Sequence, residues 1–417
     1  MRSFRMAFNV TTVIMLIAIA VSGPSLAAQQ KAAATEYSAV VNGNNEFAIS
    51  LFHSISSDHG SDGKNIFVSP FSVSSALAMT YAGARGNTQK QMANVLHFNA
   101  AGQDLNGGFS SLLGKTKAAP GKGYKLEVAN ALWGQKDYHF EDTFTSTVGK
   151  YYDGGFNTVD FVAAREDSRG KINKWVEEKT ADKIKELVHK NDVSDLTRLI
   201  LTNAIYFKGD WTSKFKPEDT KPAPFHASQD RVISVAMMQQ SAKFPVLETS
   251  ELRMVELPYA GNDVSMLVIL PEGDVEKLGA ELSLDKLNAL RKQLVPSTVR
   301  LFLPRYKFET RYYLEEQLGK MGMPDAFSES AADFSGMTGK PNLYISHVIH
   351  QAMIDVNEQG SEAAAATAVI METKSLSMPV TFRADKPFVF VIVHKPTDSI
   401  LFIGRVSEPP IAAGDAK

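Results

Sequence analysis

A chain of 417 residues, 44% hydrophobic and 22% charged, has the composition of an ordinary globular protein with ample apolar material for a large core. Its formal net charge of −2, with no acidic or basic half, argues against nucleic acid or an anionic membrane surface as a partner. The absence of cysteine excludes a thiol nucleophile, a cysteine metal site and any disulfide, so the fold must stand on core packing.

The first residues carry an address. Arg2 and Arg5 precede an apolar run from Val10 to Val21, and Ser25-Leu26-Ala27-Ala28 follow. A basic start, a short apolar centre and small residues at its end predict a secretory signal peptide over 1–27, cleaved after Ala27, with cleavage after Ala28 as the alternative. The run is short of the ~20 residues a membrane span needs. The expectation is export, to the extracellular space or a periplasm, with no membrane attachment once the signal is removed.

Phe47, Ile49, Leu51, Phe52 and Ile55 predict an amphipathic helix over 37–56. Ser69-Pro70 reads as a helix start with Pro in the first turn, followed by the stripe Val73, Leu77, Met79 and Tyr81. Gly83 or Gly86 would stop that helix, and Thr88 is expected to cap the next, through Leu96. Residues 99–123 are rich in Gly and Ala, with one short helix at 105–113. A strand at 124–133, a helix at 141–151 and a longer helix at 165–188 follow, then a buried central strand at 197–207. Strand-like runs occupy 232–238, 254–257 and 264–270. Short helices fit 274–282 and 284–294, then a strand at 297–302, a helix at 312–319 and a strand at 343–356. Three more strands fit 380–382, 388–394 and 400–406. Helices dominate early and strands late, without repeats or linkers, which predicts one α+β domain over 28–417.

No G-x-S-x-G, H-E-x-x-H, G-x-G-x-x-G or EF-hand pattern occurs. Gly108 and Gly114-Lys115-Thr116 are spaced one residue too far for a phosphate loop, and a strand follows them where one should precede. His347 and His350 would face opposite sides of a strand, so they make a poor metal pair; a buried imidazole is better read as a hydrogen-bonded core residue. Nothing suggests an enzyme, a cofactor or a metal.

One stretch fits no ordinary role. Residues 355–379, DVNEQGSEAAAATAVIMETKSLSMP, form a connection longer than compact domains usually tolerate. An Ala-rich linker or short helix is the plain reading. Taken in twos, however, Ser361, Ala363, Ala365, Thr367, Val369, Met371 and Thr373 form a row without charge, while Glu362 and Glu372 lie on the other. Successive strand residues face opposite sides, and no proline interrupts 358–376. The loop is written as a potential central strand.

Four segments in order resemble hallmarks of the serpin family. They are Asn65-Ile66-Phe67-Val68-Ser69-Pro70-Phe71-Ser72, the run from Leu201 through Asn203 to Trp211, the run Val356 to Thr367, and Phe382 to Phe390. The resemblance implies an α+β fold of three sheets and about nine helices, with an exposed reactive loop over about 357–378. It implies inhibition of a serine protease: the loop is cleaved, forms an acyl-enzyme, and inserts into the largest sheet before deacylation. Loop insertion of this kind is a well-known segmental switch.

Counting from Glu358, the resemblance puts the cleaved bond at Lys374-Ser375, with Thr373 or Met371 as the alternatives. Lys before the bond suits an acidic, trypsin-like specificity pocket. It also assigns a hinge to Glu358, Gly360, Ser361, Glu362, Ala363, Ala364, Ala365, Ala366 and Thr367, and a breach to Trp211, Arg305 and Glu358. A buried polar shutter falls on Ser69, Ser72, Asn203 and His350. Read without the family, Trp211 is a core aromatic and Arg305–Glu358 a surface pair of small value. Lys115, Lys117, Lys122 and Lys125 do not make a basic helix, so no polysaccharide cofactor is expected. The partner would be a trypsin-like serine protease in covalent complex with a monomer. The alternative is a non-inhibitory serpin acting as carrier, chaperone or storage protein.

Overall fold

The computed structural model describes residues 26–61, 63–98, 104–117, 123–152, 155–361 and 378–410. The chain opens with α1 (Leu26–Ser56), β1 (Ile66–Val68), α2 (Pro70–Tyr81), α3 (Gly86–Val95) and α4 (Leu105–Thr116). Then come β2 (Tyr124–Gln135), α5 (Asp142–Tyr151), β3 (Gly155–Val159), α6 (Arg165–Lys179) and β4 (Leu199–Asp210). The strand-rich half follows as β5 (Lys221–His226), β6 (Val232–Glu248), β7 (Leu252–Pro258) and β8 (Val264–Pro271), with α7 (Val275–Glu281) and α8 (Leu284–Lys292). It closes with β9 (Val295–Pro304), β10 (Tyr306–Tyr313), α9 (Glu315–Met321), α10 (Ser335–Thr338), β11 (His347–Val356), β12 (Gly360–Ser361), β13 (Val380–Arg383), β14 (Phe388–His394) and β15 (Ser399–Val406).

Pairing joins these strands into a six-stranded sheet, β10-β11-β12-β4-β2-β3, and a nine-stranded network that includes β1, β5 to β9 and β13 to β15. The three sheets implied by the resemblance thus appear as two hydrogen-bonded networks. The cause is β6, whose 17 residues pair in succession with β5, β9 and β7. The main apolar core lies between the networks, with Leu201, Ile205 and Phe207 of β4 and Val348, Ala352 and Ile354 of β11 facing it. A second apolar cluster covers the other face of the six-stranded sheet. There Ile172 and Val176 of α6, with Ile184, Leu187 and Val188 after it, pack on Ala129, Trp133, Ile200, Ala204 and Ile349.

Local chemistry explains several boundaries. Ser69 caps α2 by accepting the Ser72 amide, with Pro70 in the first turn. Other expectations need correction. Thr88 does not cap α3: Arg85 holds that position, and the Thr88 hydroxyl accepts the Asp333 amide at 2.9 Å. The long helix expected over 165–188 stops at Lys179, because the chain turns through positive φ at Ala181 and Asp182. The central strand begins at Leu199, not 197, and β11 begins at His347, not 343. The helix expected from 312 begins at Glu315. Tyr312 instead lies near the end of β10, a strand that pairs with β11 over its whole length.

Candidate functional site

β4 and β11 run parallel and pair directly from His347↔Ile200 to Met353↔Tyr206. Above that point they part. The chain leaves β11 at Val356, turns through 357–360, and returns as β12 between the two strands. Ser361 pairs with Val356 on one side and Gly209 on the other, and Gly360 pairs with Asp210. The turn is closed by Asn357 N–H to Gly360 O at 2.9 Å and by Gln359 N–H to the Asn357 side chain at 3.0 Å. Gly360 has φ +155, and a Cβ there would stand 2.0 Å from the carbonyl oxygen of Gly209. Glycine allows the backbones to approach this closely.

The wedge is held from both sides. Trp211 donates its indole N–H to Asn357 O at 3.0 Å and its amide to Gln359 O at 2.8 Å. Its ring stacks on Tyr259 with centroids 4.5 Å apart. The Tyr259 hydroxyl shares a 2.7 Å hydrogen bond with the Ser361 hydroxyl, and burial pushes that phenol well above its ordinary pKa. Glu358 is nearly buried. It accepts from Thr220 Oγ1 at 2.8 Å and lies 3.7 Å from Arg305 Nη1, an ion pair beyond direct hydrogen-bond length.

Lower in the same seam a buried polar network spans α2, β2, β4 and β11. His350 Nε2 accepts the Ser69 amide at 3.1 Å, which places the imidazole proton on Nδ1, donating to Asn203 Oδ1. Asn203 Nδ2 donates to Ser72 Oγ at 2.7 Å and to Asn130 Oδ1. Ser72 Oγ donates to Asn130 Oδ1 at 3.0 Å, and Asn130 Nδ2 reaches Ser72 O at 3.1 Å. Ser69 Oγ donates to Leu401 O on β15 at 2.7 Å. Burial pushes the His350 pKa down to about 3, so the ring is neutral. A satisfied network of this kind fixes one packing arrangement.

The structure brings Ser69, Ser72, Asn203 and His350, the four residues expected to form a shutter, into one network. It sets Trp211, Arg305 and Glu358, expected to form a breach, around one wedge, with Gly360 and Ser361, expected in the hinge, inside it. Glu362, Ala363, Ala364, Ala365, Ala366 and Thr367 lie outside the described residues, as do Lys374, Ser375 and residues 1–25 of the expected signal. Sequence reasoning missed Asn130, Thr220 and Tyr259. Asn130 had a signal: it is the polar residue in the inward row Leu126, Val128, Leu132 of β2. His347 and His350 do not meet; His347 bonds Glu315 at 2.8 Å. Among the described residues no cluster of three His, Asp or Glu could hold a metal ion.

A family model described as "Serpin (serine protease inhibitor)" matches residues 42–409. The leukocyte elastase inhibitor of Bos taurus is 44% identical over 376 residues, 88% of this chain and 98% of the relative. Among solved structures, uncleaved ovalbumin superposes with a TM-score of 0.79 at 30% identity, covering 89% of this chain and all of its own. Mouse protein-Z dependent protease inhibitor superposes with a TM-score of 0.81 at 28% identity, covering 92% of this chain and 100% of its own. These findings correct the basis on which enzymatic activity was set aside. Missing motifs carried that reading, whereas the family description and the Bos taurus relative's name give a positive one, inhibitor.

Proposed function

The chain belongs to the serpin family, and from that premise we propose that it inhibits a serine protease as a suicide substrate cleaved at Lys374-Ser375. The protease serine attacks the Lys374 carbonyl, the Ser375 amine leaves, and the freed segment inserts between β4 and β11 before water reaches the acyl-enzyme.

The observation that carries this reading is β12, a strand already begun in the right seam with the right polarity. Carried forward, its pairing would set Glu362 between Lys208 and Asp355, Ala364 between Tyr206 and Met353, and Thr367 between Asn203 and His350. Ser361, Ala363, Ala365 and Thr367 would then face the main core, on the side of Phe207, Ile205 and Ala352. The glutamate would face outward. A charge on the inward row would be buried without a partner, at a cost far above what one more strand residue contributes.

Lys before the scissile bond fits a protease with an acidic specificity pocket, so the target proposed is trypsin-like. A second reading has its own support. The Bos taurus relative is named for elastase, and presenting Met371 would suit an apolar pocket. Mixing the protein with trypsin and with elastase, followed by a denaturing gel and mass measurement, separates the two. A complex with trypsin that survives boiling, with release of residues 375–417, supports the first. A complex with elastase alone and a fragment starting at residue 372 supports the second. Clean cleavage by both proteases, leaving both fully active, would sink inhibition. We further propose export after cleavage at Ala27 and action as a monomer; the amino-terminal sequence and the sedimentation mass of the secreted protein test these.

A further inference from the structure

The outer face of the six-stranded sheet is crossed by a strap, residues 184–193, running from α6 towards β10. At its α6 end Val188 exchanges two hydrogen bonds with the Asn173 side chain, both 2.8 Å. α6 itself sits on β2 through the Trp133–Trp175 pair, ring centroids 5.7 Å apart. At the other end Asp192, 4% exposed, accepts from Arg311 Nη2 and from the Tyr313 hydroxyl, each at 2.5 Å. Arg311 also donates to Leu187 O at 3.0 Å, and its guanidinium lies 4.4 Å from the Tyr313 ring centre. Arg311 and Tyr313 belong to β10, so the strap ties strands on opposite sides of the β4–β11 seam.

A strand inserted in that seam moves β10 and β11 away from β4 and β2 by one strand spacing, about 4.8 Å. Hydrogen bonds do not survive such a displacement. The strap cannot keep both ends. Its α6 end is apolar and buried, and moving it would expose Ile172, Val176 and Trp133. Its β10 end is polar, and half-exposed Tyr313 can exchange its partner for water. We infer that Asp192, with Arg311 and Tyr313, is a pin whose release at β10 sets the rate of loop insertion. It thereby sets the partition between trapped protease and cleaved inhibitor. The inference rests on the insertion reading above and assigns these three residues a role as positioning residues.

Because the chain has no cysteine, the pin can be both loosened and locked. A synthetic peptide with the sequence of residues 361–374 is added to the uncleaved protein, and uptake is followed by native gel and thermal midpoint. Stoichiometry of inhibition with trypsin is measured in parallel. Loosening by Asp192→Asn with Tyr313→Phe removes charge-assisted bonds and should speed uptake roughly tenfold, with fewer inhibitor molecules consumed per protease. Asp192→Cys with Arg311→Cys, joined by a short bis-maleimide, should block uptake and turn the protein into a substrate. Uptake within about twofold of wild type in both would overturn the pin. Tyr313→Phe alone decides if the paired variants fail to fold: faster uptake supports the pin, and an unchanged rate overturns it. A wild type that takes up peptide yet leaves trypsin active refutes the inhibitor reading while the rate series still tests the pin. A wild type that takes up no peptide, and gains no stability on loop cleavage, overturns both.

Discussion

His350 on β11 and Asn203 on β4 stand directly opposite one another in a parallel pair, joined by His350 Nδ1–H to Asn203 Oδ1. They are the point where the seam proposed for opening is closed by a side-chain bond as well as by backbone pairing. In the inserted register Thr367 would come between them, so this bond must break for the loop to pass.

Acid should weaken the fold through the same imidazole. The His350 pKa is lowered by burial to about 3 in the fold, against an ordinary value near 6.5 in the unfolded chain. A lowered pKa on a base means the unfolded chain binds the extra proton. Stability from this residue is therefore full above about pH 6.5 and falls as pH drops towards 3, by about 1.4 kcal/mol per pH unit. Thermal midpoints of wild type and His350→Gln between pH 7 and pH 4 test this. The wild type should lose more over that range; parallel curves would contradict it.

Asn130→Ala should destabilise by about 1–3 kcal/mol. It removes the acceptor of Ser72 Oγ and one acceptor of Asn203 Nδ2, leaving buried donors short of partners. Denaturant midpoints measure it. A change below about 0.5 kcal/mol would mean the network tolerates the loss.

Gly360→Ala should expel β12 from the seam. The added Cβ meets the Gly209 carbonyl, and the backbone lies at a φ that L residues rarely adopt. Trp211 reports it, since its indole bonds Asn357 O in the same turn. The expected result is a changed tryptophan emission with the fold intact; an unaltered spectrum would place the wedge elsewhere.

Thr367→Arg should convert the protein from inhibitor to substrate. The inward row would carry a charge to a buried position beside Asn203 and His350, both fully buried. Trypsin should cleave the variant and remain active. Trapping as efficient as wild type would contradict the burial of the inward row.

Much of the site was legible because local chemistry and tertiary role coincide. Ser69-Pro70 both caps α2 and supplies the amide that His350 accepts. Where they diverge, reading failed. Ile184, Leu187 and Val188 kept a helical spacing, yet they belong to the strap, whose burial against the sheet and turn at 181–182 override that period. β10 was missed although Tyr306, Phe308 and Tyr312 alternate with Lys307, Glu309 and Arg311. Asn130 breaks an apolar inward row and so carries a local signal, but only its partners Ser72 and Asn203, distant in the chain, give it a role. The wedge needed Gly209 beside Gly360, a close approach between distant parts of the chain that no local pattern encodes.

The structure of the trypsin-cleaved chain tests loop insertion most directly. Insertion predicts β4 and β11 separated by a new antiparallel strand, their Cα atoms about 9.6 Å apart. Ala364 would lie between Tyr206 and Met353, and Thr367 between Asn203 and His350. A cleaved chain in which Tyr206 still pairs with Met353, and Asn203 with His350, would contradict it.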